Sequence, residues 1–441
     1  MSEQRSTSPL EVGTEVELEI TGIAHGGVSV ARHEGRVIFV ADAIPGERVL
    51  ARVTDAKKKS FARAAVTRVL DASADRRDHI WAEASVDRDP EERPGGAEFG
   101  HIALERQRVL KAEVLVDSMA RFGDIELAAE EDEDFSDVLA ELVEPADGDD
   151  ESNGLGYRSR VRLHVDPETG MVGPYAARSR RVIPVESLPL AAPGINQIAP
   201  LFEQMNGLQT VDLVAPSADD PRMLLTEVGA KSASGANDLV RELVEERGFI
   251  VRAGGFWQVH REAPAMLFGA VADAVSALAE EGLFDPAAGN LDLYGGVGLL
   301  AAAMAEASGP GLKVTTVEAE EAATDNAAEN LSEIVGALAV TAKVDRHLAD
   351  LLKASAPVRD RHRRGTVVLD PPRSGAGGNV TAQLAELSPQ NIVYVACDPV
   401  ALARDTKSLL DSGYEMLELR AFDIFPHTHH FESVAVFTRG E

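Results

Sequence analysis

The sequence contains a single cysteine, Cys397, among 441 residues. One thiol cannot form an intrachain disulfide and cannot supply a multi-cysteine metal site. No stretch approaches the roughly 20 uncharged apolar residues that a membrane span needs. Residues 1–10 are mostly polar and lack the apolar core of a signal peptide. These absences predict a cytoplasmic protein that has no membrane partner.

Positive charge is also scarce, because 43 Lys and Arg face 73 Asp and Glu, for a net charge of −30. This balance argues at first against nucleic acid, whose phosphates are bound by Lys and Arg. The acids are concentrated, however: segment 124–151 has 14 Asp and Glu and no Lys or Arg, whereas segment 158–181 has six Arg and two acids. A basic surface can exist on an acidic protein, so composition leaves the partner open.

The chain is long enough for two or three domains. Segment 8–70 consists of about five short apolar runs broken by Gly and Pro, which predicts a small β-barrel. We place Lys57-Lys58-Lys59 and Phe61 on the loop before its last strand. Basic side chains beside an aromatic ring suit RNA, although loop lysines are often only solvated.

Two further regions follow the barrel. Segment 71–250 is predicted to be a central α+β region, with a helix over 101–122, a mobile acidic insert at 124–155 and strands over 157–185. In segment 251–441, apolar strands alternate with Ala-rich helices, which predicts a parallel sheet with helices on both faces. The predicted fold class is therefore α/β, with a Rossmann-like C-terminal domain.

A glycine turn marks a candidate cofactor site. Residues 290–298 form an apolar strand and a Gly-rich turn, and a second strand ends about 20 residues later in Glu318, where a carboxylate can bind a ribose diol. Residues 296–301 also fit the dinucleotide fingerprint, so an NAD enzyme is a rival, as is a tight turn without a ligand. A third strand ends in Asp370-Pro371-Pro372-Arg373. A rigid carboxylate there is typical of nucleic-acid methyltransferases and not of hydride-transfer enzymes.

Two residues near the C-terminus are candidates for catalysis. Cys397 follows the apolar strand 391–396 and precedes a helix that includes Leu402 to Leu410. A lone cysteine is usually a small buried hydrophobe, but a helix N-terminus nearby would lower its pKa and favour a nucleophile. Glu432 opens the last apolar strand, where it could also be a solvated strand end.

His427, His429 and His430 lie close together and suggest a metal site. No H-x-x-x-H helix and no cysteine partner accompanies them, so we predict no metal. Whether these histidines contact RNA stays open.

Together these segments resemble the RNA uracil-5 methyltransferase family. The matching words come in the family's order: 156–160, 256–259, 291–298, 370–375, 395–405 and 430–435. The barrel looks like the TRAM domain, an RNA-binding module often fused to the ribosomal-RNA branch. With the barrel, the resemblance runs from about residue 10 to the C-terminus.

The resemblance implies methylation of carbon 5 of a uridine in structured RNA, with S-adenosylmethionine as the cofactor. It makes Cys397 the nucleophile, whose thiolate adds to carbon 6 and makes carbon 5 reactive. It makes Glu432 the base that removes the proton from carbon 5. The target base must leave its stack. The family's cofactor-contacting positions match Gln258, Tyr294, Glu318 and Asp370.

The barrel favours 23S ribosomal RNA over transfer RNA as the substrate. A non-enzymatic RNA-binding protein on a decayed methyltransferase fold is a rival, but the presence of both Cys397 and Glu432 argues against it. A small-molecule methyltransferase or NAD enzyme leaves the barrel and this pair unexplained. The oligomeric state is not determined, and a monomer is favoured.

The chain departs from the family's pattern at several positions. Family members often have cysteine at Gly295 and asparagine at Asp398; both changes look tolerable. Many relatives also bind a four-iron–four-sulfur cluster through four cysteines. We predict that the cluster is lost here and that local folding relies on packing, because three positions of that motif hold other residues: Pro94, Ala97 and Leu188.

Overall fold

The computed structural model describes residues 10–127, 134–177 and 179–440. The first five strands are β1 (Glu15–Ala24), β2 (Val28–His33), β3 (Arg36–Ala41), β4 (Arg48–Asp55) and β5 (Phe61–Asp71). They form a closed barrel, which confirms the prediction. Along β1, Val16, Leu18 and Ile20 point inward, as the two-residue period of a strand requires. Phe61 begins β5 and does not lie on the preceding loop; its ring packs edge to face on Phe39.

The predicted helix over 101–122 is α1 (Leu104–Ser118), continued by a wider turn at Met119–Gly123. The acidic stretch contains α2 (Phe135–Glu141), β6 (Val143–Pro145) and α3 (Asp149–Ser152), and its residues 128–133 lie outside the described part of the chain. The prediction of a mobile insert is wrong from residue 143 onward. There β6 pairs with a strand of the main sheet, and the buried Asp149 carboxylate contacts Nε2 of His260 at 3.1 Å.

The central region is built on an antiparallel sheet. Its elements are β7 (Arg160–Val165), β8 (Val172–Gly173), α4 (Pro193–Ile198), β9 (Leu208–Val214) and β10 (Arg222–Glu227), followed by the hairpin β11 (Leu239–Val244) and β12 (Arg247–Arg252). Ala97 and Leu188, at two cysteine positions of the cluster motif, are buried beside Trp81 in the core of this region. Pro94 is buried as well. Apolar packing therefore occupies this part of the motif, and the loss of the cluster itself stays a prediction.

The C-terminal region begins with α5 (Ala263–Glu280), β13 (Asn290–Leu293), α6 (Leu299–Ser308), β14 (Val314–Glu318), α7 (Glu321–Asn330) and β15 (Ala337–Thr341). It continues with α8 (Val344–Leu352), α9 (Ala356–Arg363), β16 (Thr366–Leu369), α10 (Gly377–Leu387), β17 (Asn391–Ala396), α11 (Pro399–Leu410), β18 (Tyr414–Asp423) and β19 (Glu432–Arg439).

These strands and β6 form one eight-stranded sheet in the order β15-β14-β13-β16-β17-β19-β18-β6. The Rossmann-like prediction is confirmed, but the expectation of a parallel sheet is wrong for β19, which is antiparallel to β17 and β18. The chain returns from β18 through the short loop 424–431, which has no crossover helix, and a short connection of this kind produces antiparallel pairing.

By length and composition, helix α5 could cross a membrane, since its 18 residues have a mean hydropathy of 1.3. The helix contains Asp273 and Glu280, so it is not an uncharged apolar stretch of the kind sought in the sequence. Half of it is buried inside the protein, where Leu267, Val271 and Val275 pack in the main core. A helix that covers a parallel sheet is apolar because one of its faces is buried, so the hydropathy of α5 is only weak evidence that it spans a membrane.

Candidate active site

The candidate residues lie at one edge of the main sheet. Parallel strands present their carboxyl ends at the same edge, and Tyr294, Asp370 and Cys397 directly follow β13, β16 and β17, while Glu318 ends β14. Glu432 is the first residue of β19, and the antiparallel direction of that strand brings its beginning to the same edge.

All six residues predicted from the sequence line a single cavity of about 750 Å³. The side chains are Gln258, Tyr294, Glu318, Asp370, Cys397 and Glu432. Gln258 reaches the cavity from the segment between β12 and α5, whereas the others come from the sheet edge. The cavity therefore brings together every predicted site residue.

The glycine turn after β13 forms one end of this cavity. Tyr294 has φ +61° and Gly296 has φ +53°, and a Cβ on Gly296 would meet nothing within 4 Å, so the backbone is open to a ligand. The Glu318 carboxylate accepts hydrogen bonds from the backbone N–H groups of Gly296 at 3.2 Å and Glu320 at 2.9 Å. A carboxylate held in this way can accept a ribose diol, and Gln258 adds an amide to the same cavity. These groups fit the nucleoside part of S-adenosylmethionine.

Gly295 is required by its neighbours in the structure. A Cβ at this position would lie 1.9 Å from Oγ1 of Thr316 and 2.5 Å from Oδ2 of Asp292. The Thr316 hydroxyl donates to that carboxylate oxygen at 2.9 Å, so the pair fills the space that a larger residue would need. The glycine, which replaces a frequent family cysteine, therefore matches its local packing.

The expectation of a lowered pKa for Cys397 is wrong. Burial raises the pKa of the thiol to about 12, and the nearby carboxylates of Glu432 and Asp370 add to the rise. Asp398 caps the N-terminus of α11 by accepting the Ala401 N–H at 2.8 Å, and its charge also raises the pKa of Cys397. At neutral pH a thiol with this pKa is protonated.

The carboxyl groups in the cavity also hold protons tightly. Glu432 is only 3% exposed, and burial followed by repulsion from Asp370 raises its pKa well above the usual range, while Arg373 opposes the rise. Burial and the charge of Asp292 raise the pKa of Asp370 to about 7. A carboxylate with a raised pKa is a stronger base than an ordinary one. In their ionised form these groups would stabilise a cation in the cavity, as a sulfonium requires.

The three histidines have different environments. His427 is buried with φ +63°; its Nε2 contacts the Asn153 carbonyl at 2.7 Å and its Nδ1 the Gln107 amide at 3.1 Å. These internal partners give it a structural role in the loop before β19. His430, in contrast, lines the cavity.

Within the described part of the chain, Glu98, His429 and His430 form a group that could hold a metal ion, with ligand atoms within 4.8 Å of one another. His429 Nδ1 already contacts the Glu98 carboxylate. The Arg373 guanidinium lies 3.3 Å from Nε2 of His430, which disfavours a cation there. The absence of a metal stays a prediction.

Sequence reasoning missed several charged residues that line the cavity, among them Arg158, Arg373 and Glu98. Arg158 and Arg373 lie in short segments that match the family, and this match was the only sequence signal for a role in the site. Glu98 lies in the segment that resembles the cluster motif, and no sequence pattern indicated a role for its side chain in the site. They reach the cavity from distant parts of the chain, so only the folded structure reveals them.

Comparison with known proteins gives consistent results. The TRAM domain matches residues 9–67, and the tRNA (uracil-5-)-methyltransferase domain matches residues 289–440. An RNA methyltransferase of Streptomyces avermitilis is 36% identical over 96% of this chain and 98% of its own length. The 23S rRNA (uracil(1939)-C(5))-methyltransferase RlmD of Shewanella piezotolerans is 28% identical over 98% of this chain and 97% of its own.

Among solved structures, the tRNA (uracil-54, C5)-methyltransferase of Pyrococcus abyssi, in complex with S-adenosyl-L-homocysteine, superposes with a TM-score of 0.67. The match covers 96% of this chain and 100% of that one, at 18% identity. At this identity the likeness concerns the fold.

Proposed function

The chain belongs to the RNA uracil-5 methyltransferase family, and from this premise we propose that it methylates a uridine of 23S ribosomal RNA through a covalent bond to Cys397. The family assignment carries the reaction class, which is transfer of a methyl group from S-adenosylmethionine to carbon 5 of uracil. The convergence of Cys397 and Glu432 on one cavity is the observation that supports the covalent mechanism.

The choice of 23S ribosomal RNA has two supports. The N-terminal barrel matches the TRAM domain, and the RlmD proteins of Shewanella align over nearly the whole chain. Transfer RNA is the alternative substrate. With ribosomal RNA as the substrate, we expect a cytoplasmic location.

The reaction needs a nucleophile that makes carbon 5 electron-rich. The sulfur of Cys397 forms a bond to carbon 6, and the π electrons move onto carbon 5 and the carbonyl at carbon 4. When bound, the cofactor supplies an electrophilic methyl group on a positively charged sulfur. Because the resting group is a thiol with a pKa of about 12, its proton must pass to solvent as the sulfur attacks, and Cys397 is exposed enough for this. A cation beside the thiol would assist by favouring the thiolate.

Release of the product needs a base. Glu432 takes the proton from carbon 5, the electron pair restores the double bond between carbons 5 and 6, and the Cys397 thiolate is expelled. Glu432 must be ionised to act, and the raised pKa makes its ionised form a stronger base than an ordinary carboxylate. Gln258, Tyr294 and Glu318 would hold the cofactor, with Glu318 at the ribose, and Asp370 would lie between the cofactor and the reacting groups.

Replacement of the two catalytic residues tests this mechanism. Cys397→Ala should lose methyl transfer to labelled RNA while calorimetry detects nearly unchanged cofactor binding. The Glu432→Gln variant should still form the sulfur–carbon bond and transfer the methyl group to carbon 5. Because Gln cannot remove the proton from carbon 5, protein covalently bound to methylated RNA should accumulate. The matched control is Glu432→Gln in a Cys397→Ala background, which should give no adduct on denaturing gels. Normal turnover by the Gln variant would remove Glu432 from the mechanism.

The substrate is tested separately by mapping 5-methyluridine in RNA from cells that lack the protein. Loss of one modified uridine from 23S ribosomal RNA is expected. Loss from transfer RNA alone would establish the alternative substrate.

A further inference from the structure

A second, smaller cavity adjoins the catalytic one. It has a volume of about 130 Å³, and Arg373, Cys397 and His430 line both cavities. At roughly 30 Å³ for each water molecule, it has room for about four. That space suits one base ring system but not a whole nucleotide or the cofactor. Cys397 therefore stands between the two cavities.

The turn between β1 and β2 of the barrel covers this smaller cavity. His25 contacts Asp398, the neighbour of Cys397, through Nε2 and Oδ2 at 2.9 Å. Gly27 has φ +68°, and a Cβ there would lie 2.5 Å from Cβ of His429. The turn thus approaches the catalytic loops so closely that only glycine fits, and the hydrogen bond between His25 and Asp398 holds it there.

The walls of the smaller cavity have the chemistry of a base-binding site. Apolar surface comes from Ile23, Leu110, Val114 and Phe431, and polar atoms come from His25, His429 and Arg373. A nucleobase has two apolar faces and a hydrogen-bonding edge, and proteins bind unstacked bases with this combination.

We propose that the smaller cavity receives the base of a nucleotide next to the target uridine. The inference rests on the proposed function, because it requires a uridine in the catalytic cavity. The two cavities meet at Cys397, so a base one nucleotide from the target is within reach. Removal of the target base from its stack also frees the adjoining base to leave. The barrel then contributes to catalysis by holding the RNA beside the nucleophile.

Abasic substrates test this proposal in the full-length protein. Synthetic RNA fragments that contain the methylated uridine would carry an abasic residue on its 5′ side, on its 3′ side, or at neither position. We expect kcat/KM to fall roughly tenfold to hundredfold for one of the two abasic fragments, as for loss of one stacked base. Full activity on both abasic fragments would overturn the inference alone. A protein that methylates no RNA would overturn the proposed function and the inference with it.

Variants that fill the cavity supply the second half of the test. Ile23→Trp should lower kcat/KM on intact RNA by a similar factor and should lose nothing further on the sensitive abasic fragment. Val114→Phe fills the same cavity from α1 and replaces Ile23→Trp if the latter does not fold, as judged by urea denaturation. Val12→Trp is the matched control, since Val12 is 64% exposed and does not line the cavity. Wild-type activity of a folded cavity-filling variant would contradict the proposal. So would a variant whose loss of kcat/KM multiplies with the loss caused by the abasic residue, because the two effects would then be independent.

Discussion

The high pKa of Cys397 leads to a prediction that can be measured without a substrate. The chain has one cysteine, so alkylation by iodoacetamide reports on this thiol alone. With a pKa of about 12, the thiolate fraction at pH 8 is on the order of one part in ten thousand. A free thiol with a pKa near 8.5 is about a quarter ionised at that pH.

The rate difference is smaller than the difference in thiolate, because a more basic thiolate reacts faster. With a Brønsted coefficient of about 0.4–0.5, the thiolate of Cys397 is roughly thirtyfold more reactive than that of free cysteine. We therefore expect alkylation about a hundredfold slower than that of free cysteine at pH 8. The decisive measurement is the pH profile, since the rate should rise about tenfold per pH unit between pH 7 and 10 without a plateau. A plateau below pH 9 would refute a raised pKa.

Two variants separate the electrostatic cause from a general structural change. At pH 9.5, Glu432→Gln removes a negative charge that raises the pKa of Cys397, so alkylation should become about threefold to tenfold faster. Arg373→Gln removes a positive charge that lowers this pKa, so alkylation should become slower. If the substitutions merely loosened the site, alkylation would become faster in both variants. If the charges act as described, it becomes faster in one variant and slower in the other.

Three further predictions concern packing and composition. Gly295→Ala should lower the free energy of unfolding by about 1–3 kcal/mol in urea titrations, because its Cβ would overlap the Thr316 hydroxyl; Thr316→Ala should restore part of the loss, and additive effects would contradict this cause. Lys111→Met should lower the free energy of unfolding by about 3–5 kcal/mol in the same assay, because it leaves the buried Asp423 carboxylate without its cation. An unchanged free energy of unfolding would show that the pair is dispensable. The purified protein should be colourless and free of iron, and stoichiometric iron in elemental analysis would overturn the predicted loss of the cluster.

Local sequence patterns were sufficient for the elements that carry the site. The alternation of β1 and the apolar runs before Tyr294, Asp370 and Cys397 each lie within a few residues, and each produced a strand at the expected place. Because parallel strands share a carboxyl edge, the residues that follow these strands lie close together. The choice of Gln258 and Tyr294, and the role of every site residue, came from the resemblance to the family and not from these patterns.

Only the tertiary structure decided how these residues interact. The insertion of β19 between β17 and β18 brings Glu432 to the thiol, and no local pattern encodes that strand order. The pKa of Cys397 depends on burial and on the carboxylates of Asp370 and Glu432, which come from other strands, so reasoning from the adjacent helix alone had the wrong sign. The approach of the barrel turn to Asp398 joins residues 373 positions apart in the sequence. The pKa of a side chain and the shape of a cavity depend on residues that are distant in the sequence. Local sequence patterns by themselves determine only the strands, turns and helices that carry the site.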